Sequence, residues 1–156
     1  MRFLFYDRVN ELEKGRIVGT KAFSLSEEYL HGHFSRAPLV PGTILVEAMV
    51  QLLGWGIIHA HDFRLSAIVS VLEGVTIANS RLRPDFEARI TAEILSTSAS
   101  DSLGRAWLDA GGTRIAAVDR VIFSHFPAPR PEALRELFRY CSGLGTQDLH
   151  SPERGA

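Results

Sequence analysis

The chain has 156 residues, which suits one domain with a real hydrophobic core. Apolar residues make up 46% and charged residues 22%, values ordinary for a globular protein, and the formal net charge of -1 lacks the basic excess that binding to nucleic acid or an anionic membrane surface would call for. A single cysteine, Cys141, excludes an intramolecular disulfide and fits a reducing compartment. Asp7 comes too early for a signal peptide. The longest apolar stretch, Ile44 to Ile58, is interrupted by Glu47 and Gln51 and falls short of the ~20 apolar residues of a membrane span. A cytoplasmic protein with no membrane or nucleic-acid partner is expected.

In chain order, residues 3–9 and 15–25 read as strands, joined through the polar turn Asn10 to Gly15 into a hairpin. Residues 26–42 are irregular; Ser26-Glu27-Glu28 can start one helical turn, and Pro38 and Pro41 forbid a long one. Residues 43–59 form the clearest helix, with almost no polar face, the pattern of a helix buried on all sides. Strands follow at 66–78, 86–98, 104–110 and 113–124, with turns at Ser100-Asp101-Ser102 and Gly111-Gly112. Two strands, one buried helix and four strands predict an α+β domain, a curled antiparallel sheet around a central helix. Pro127, Pro129 and Pro131 break the strand pattern, residues 131–140 can form a short helix on Leu134, Leu137 and Phe138, and residues 141–156 read as disordered. The expected division is a domain over 1–126 and a C-terminal extension over 127–156.

Chemistry concentrates between Gly32 and Gln51. Glu47 is a lone carboxylate in an apolar helix, where burial would favour its neutral form and make it a candidate general acid. His33 lies in the irregular loop before the helix, and imidazole is the usual general base near neutral pH. Between them Pro41-Gly42 opens the helix, whose free N–H groups and dipole can polarise a carbonyl oxygen. A base, an acid and an oxyanion-type donor are the parts needed to take a proton beside a thioester and expel a β-hydroxyl. On the residues alone a structural reading stays open, with His33 an ordinary polar residue and Glu47 a paired buried one.

Other residues are open to two readings. His31-Gly32-His33 and His59-Ala60-His61 have a spacing that puts two imidazoles on one face of a strand, yet no Cys or carboxylate cluster completes a ligand set, so no metal site is expected. His59 and His61 finish the central helix, where positive charge is favourable. Gln51, one turn after Glu47, can orient it or satisfy a buried polar group. Gly54 and Gly56 leave room for an acyl chain or for close packing. Arg36, Arg81, Arg83 and Arg89 can meet an acidic carrier protein or stand as solvated surface charge.

The segment resembles the 3-hydroxyacyl-acyl-carrier-protein dehydratases. That family carries Gly-His-Phe-Pro, a short gap, Pro, two apolar residues, Pro-Gly and, after four residues, Glu or Asp followed by Ala-Met-x-Gln. Gly32, His33, Phe34, Pro38, Pro41, Gly42, Glu47, Ala48, Met49 and Gln51 match without a gap, and Phe3 to Val9 resembles the family's first strand. Ser35 stands where the family has Pro, and Arg83-Pro84-Asp85 replaces its Pro-Gly-Asp turn. The resemblance implies a hot-dog fold and elimination of water from a 3-hydroxyacyl thioester without a cofactor. His33 is then the base, Glu47 the group that handles the hydroxyl, and Gly42 N–H the donor to the thioester carbonyl, with Phe34 and Gln51 lining the substrate. It also implies a cis peptide at His33–Phe34, an acyl chain delivered on acyl-carrier protein or coenzyme A, and a homodimer, alone or as a trimer of dimers, whose sites join His33 of one subunit to Glu47 of the other. An acyl-thioesterase and a non-catalytic acyl- or lipid-binding module are the alternatives on the same fold.

Overall fold

The structure, a computed structural model, describes residues 4–34, 36–78 and 81–144; Ser35 and the tail from residue 145 lie outside them. The elements are β1 (Arg8–Glu13), β2 (Arg16–Phe23), a 3₁₀ turn (Glu28–Leu30), α1 (Gly42–Ala60), β3 (Leu65–Ile77), β4 (Phe86–Thr97), β5 (Asp101–Ala110), β6 (Thr113–Pro127) and α2 (Pro131–Ser142). The six strands form one antiparallel sheet in the order β1-β2-β4-β5-β6-β3. Register shifts occur at Val9/Glu11, Val69/Val71, Ile94/Ser96 and Gly104/Ala106. Such bulges bend a strand and raise its twist, which curls the sheet around α1.

Alternation on the inner strands sets the core. Ala88, Ile90 and Ala92 of β4 are all buried, as are Ala106 and Leu108 of β5, and they meet Leu45, Met49, Leu52 and Leu53 of α1. Gly54 and Gly56 serve close packing. A Cβ on Gly56 would lie 2.9 Å from Ile17 Cγ2, and one on Gly54 would lie 3.3 Å from Phe123. The sheet returns the fit at Gly104, where a Cβ would lie 2.8 Å from Leu53 Cδ2. α1 is also the helix, among the described residues, long and apolar enough to cross a membrane by length and composition, and half of it is buried against the sheet as the core of the fold.

Three sequence expectations are corrected. The first strand runs over Arg8–Glu13 rather than 3–9, and the turn shrinks to Lys14-Gly15, with Gly15 at φ +85°. β1 is an edge strand with a solvated side, so polar residues cost it little, and Glu11 holds Arg16 at 2.6 Å and Arg89 at 2.5 Å. α1 is not buried on all sides. Thr43 and Glu47 are exposed, and Gln51, Trp55 and His59 are half-buried, so the i, i+4 row 43-47-51-55-59 faces away from the sheet. The C-terminal helix runs on to Ser142 before Gly143 closes it in the left-handed region. It packs back on the open row of α1, with the fully buried Phe138 stacked on Trp55 at 5.1 Å between ring centroids and also against Phe63. Arg135 fixes it further, pairing with Asp62 at 2.8 Å.

β3 forms the other edge of the sheet. Among the described residues it pairs with β6 alone, and Ile68, Val71, Leu72, Val75 and Ile77 on it are exposed.

Candidate active site

The irregular segment between β2 and α1 is held at both ends by buried residues, Leu30 and Val40, and Val40 N donates to Leu82 O at 2.8 Å. Within it His33 and Leu39 close a small loop. Leu39 N donates to His33 O at 3.1 Å, and the His33 ring meets Leu39 O through Nδ1 at 3.0 Å. A carbonyl oxygen only accepts, so Nδ1 carries the hydrogen and the neutral ring keeps its lone pair on Nε2. That is the tautomer a general base needs. The His33–Phe34 peptide is cis, as the resemblance implied. Phe34 leaves its ring exposed beside the imidazole, centroids 4.5 Å apart.

The foundation of this loop was not legible in the sequence. Lys21 is buried on β2 and binds Glu27 at 2.5 Å and Asp7 at 3.2 Å, while Asp7 also accepts from Ala22 N at 2.6 Å. A buried ammonium with two carboxylates ties the chain before β1 to the segment leading into His33. Lysine is seldom buried, and nothing in its sequence neighbourhood marks this one.

α1 starts at Gly42, with Pro41 as an N-cap that offers no side-chain hydrogen bond; Ile44 N–H donates to Pro41 O at 3.0 Å, and the N–H groups of Gly42 and Thr43 have no side-chain cap. A Cβ at position 42 would collide with Ile77 Cδ1 at the end of β3. Glycine thus keeps the helix start close to that strand.

Glu47 corrects the expectation of a carboxyl buried in an apolar helix: in the single chain it is exposed. It lies on the open row of α1, beyond the part that α2 covers. Gln51, one turn on, donates from Nε2 to Glu47 Oε1 at 2.8 Å, and its own Oε1 accepts Phe5 N–H at 3.0 Å. Gln51 thus bridges the Glu47 carboxylate and a backbone N–H. Within one chain His33 and Glu47 share no hydrogen bond.

The histidine pairs diverge. His59 packs on Phe63 and Phe138, with burial pushing its pKa down, and His61 turns to Thr97. Among the described residues no group of three or more His, Cys, Asp or Glu side chains could hold a metal ion.

The profile of the FabA-like domain matches residues 1–82. The 3-hydroxyacyl-[acyl-carrier-protein] dehydratase FabZ of Solibacter usitatus is 36% identical over 102 residues, which span 63% of this chain and 61% of that protein. Among solved structures, the dehydratase heterocomplex ApeI:P from Xenorhabdus doucetiae superposes with a TM-score of 0.65 at 14% identity, over 86% of this chain and 89% of that one. A hypothetical thioesterase with coenzyme A from Streptococcus pneumoniae gives 0.61 at 12% identity, over 79% and 88%. At those identities the two structures speak for the fold alone, and the fold is the hot-dog. The sheet curled around α1, the matched His33-to-Gln51 segment and the profile over more than half of the sequence place the chain in the FabA-like family, whose curated relatives are named as dehydratases of the hydro-lyase class.

Proposed function

We propose that the protein is a (3R)-hydroxyacyl-acyl-carrier-protein dehydratase that forms the trans-2-enoyl thioester. The observation that carries this is the His33–Leu39 hydrogen bond, which leaves Nε2 as the free basic nitrogen. His33 Nε2 takes the α-proton while Gly42 N–H steadies the developing enolate oxygen. Glu47, oriented by Gln51, gives a proton to the departing hydroxyl, the C–O bond breaks, the double bond forms and water leaves. A proton passed from His33 back to Glu47 resets the pair. No metal or organic cofactor is called on.

The active unit in this reading is a homodimer. The partner's base loop covers the open part of α1 around Glu47, and the exposed apolar edge of β3 pairs with its counterpart, since a long apolar edge left in water invites association. The substrate arrives on acyl-carrier protein or on coenzyme A, in fatty acid or related acyl-chain synthesis, and the enzyme works in the cytoplasm. Incubation with a 3-hydroxyacyl and a 2-enoyl thioester tests the reading. Interconversion seen in enoyl absorbance supports it, release of free thiol would point to a thioesterase, and neither product would point to a binding module.

A further inference from the structure

The far end of α1 holds a second polar cluster. His61 caps the helix that Gly42 begins, about 28 Å away at 1.5 Å per residue. His61 Nε2 lies 2.6 Å from Thr97 Oγ1, Thr97 Oγ1 lies 2.6 Å from Ser102 Oγ, and Ser102 Oγ lies 3.0 Å from His125 Nε2. The two rings are 5.1 Å apart in a T-shaped arrangement. Four elements meet here: the end of α1, the end of β4, the start of β5 and the end of β6. Ser102 is only 1% exposed, so its links are not exchanged for water. His125 Nδ1 is buried without a hydrogen-bond partner.

Three links need one hydrogen each, and the two hydroxyls supply at most one apiece, so at least one imidazole Nε2 carries a hydrogen. A hydroxyl oxygen accepts two hydrogen bonds and Thr97 is exposed, so a second Nε2–H is accommodated with the Thr97 hydrogen turned to solvent. The chain thus stays connected when an imidazole becomes charged.

His61 and His125 line a cleft of about 320 Å³ together with Arg64 and the apolar Leu65, Ala99, Phe126 and Pro127. Among the described residues no carboxylate lines it. Nearby acids are engaged elsewhere, Asp62 with Arg135 and Asp101 with Ser100. Arg64 makes no ion pair among the described residues. Burial first, and then the positive charge of His125 and Arg64, hold the His61 pKa below its ordinary value. The cleft thus sets one guanidinium, Arg64, beside two imidazoles and against an apolar wall, and its volume is at the small end of the size range of ligand sites.

We propose that this cleft binds a small organic carboxylate with a short hydrocarbon chain, its charge against Arg64 and the His61–His125 pair and its chain against Leu65, Phe126 and Pro127. Inorganic phosphate would leave the apolar wall unused, and a neutral alcohol would leave Arg64 without a counter-charge. Binding favours a charged imidazole in the pair, because an adjacent anion stabilises the imidazolium form.

The test is titration of the full chain with butyrate, followed by NMR of the imidazole signals, beside 1-butanol and inorganic phosphate at matched ionic strength. The expected result is a saturable shift of His61 and His125 toward the imidazolium position while His33 stays in place. Butanol should give none, and phosphate should bind at least ~10-fold more weakly. Arg64→Gln should weaken butyrate at least ~10-fold, as the loss of a charge-assisted contact does, and Phe126→Ala should weaken it too, both with dehydration unchanged. No saturable shift, an equal response to phosphate or butanol, a shift of His33 alone, or full binding by Arg64→Gln would each overturn the proposal.

Discussion

Gln51 and Glu47 are joined at 2.8 Å, and the other end of the Gln51 amide is fixed at 3.0 Å to the backbone N–H of Phe5. The proposed acid is therefore oriented by a side chain that is itself oriented by the main chain. Gln51→Leu should lower kcat by roughly 10-fold and leave KM nearly unchanged, because orientation is lost while the carboxyl remains. An effect on KM alone would make Gln51 a binding residue.

His33→Ala and Glu47→Gln should each cut dehydration at least ~100-fold with the fold intact, as loss of a general base or acid does. Glu47→Asp should keep partial activity. If each site joins His33 of one subunit to Glu47 of the other, as proposed, mixing the two inactive variants should restore about a quarter of wild-type activity through statistically formed heterodimers with one intact site. If subunit exchange is verified and no activity returns, the two residues do not work across subunits.

Charge on the β3 edge should separate the subunits. Ile68 is 58% exposed and Leu72 41% exposed in the single chain. Ile68→Glu with Leu72→Glu should yield a folded monomer with little activity, because each site then lacks its partner residue. Light scattering with circular dichroism checks this, and a fully active monomer would contradict the shared site.

Phe138→Ala should destabilise the protein by ~3–5 kcal/mol, the cost of a large cavity. Phe138 is fully buried among Trp55, Phe63 and His59. In thermal melting this amounts to a fall of roughly 6–20 °C for a chain of this size. A change of a degree or two would mean that α2 is only loosely docked.

Acid should weaken the same corner. Burial holds the His59 pKa below its ordinary value of 6.5. The unfolded chain therefore binds a proton that the folded one refuses, so this contribution is complete above pH 6.5 and is lost as pH falls below it. Between about pH 7.5 and about pH 5.5 the melting temperature of His59→Gln should fall less than that of the wild type. Equal falls would show that His59 does not contribute.

Local physics made much of this protein readable from sequence. Pro41-Gly42 starts a helix because proline has no N–H to satisfy and glycine no side chain to fit, and the apolar run after it has to be covered. The unbroken spacing from Gly32 to Gln51 carried the His33 loop, the helix start and Glu47 together. Four later strands followed from alternation and turn residues. What a carboxylate in an apolar helix does not disclose is which way it faces. Glu47 is exposed because residues 43, 47, 51, 55 and 59 share one row of α1 and the sheet wraps the opposite side. Only tertiary packing decides how far α2 covers that row. The same holds for Lys21 with Asp7 and Glu27, and for His61, Thr97, Ser102 and His125. Strand pairing and helix docking bring these groups together across sequence separations of up to 64 residues. Their contacts are set by sheet register, which bulges shift by one residue at a time, and local pattern carries no trace of such a shift.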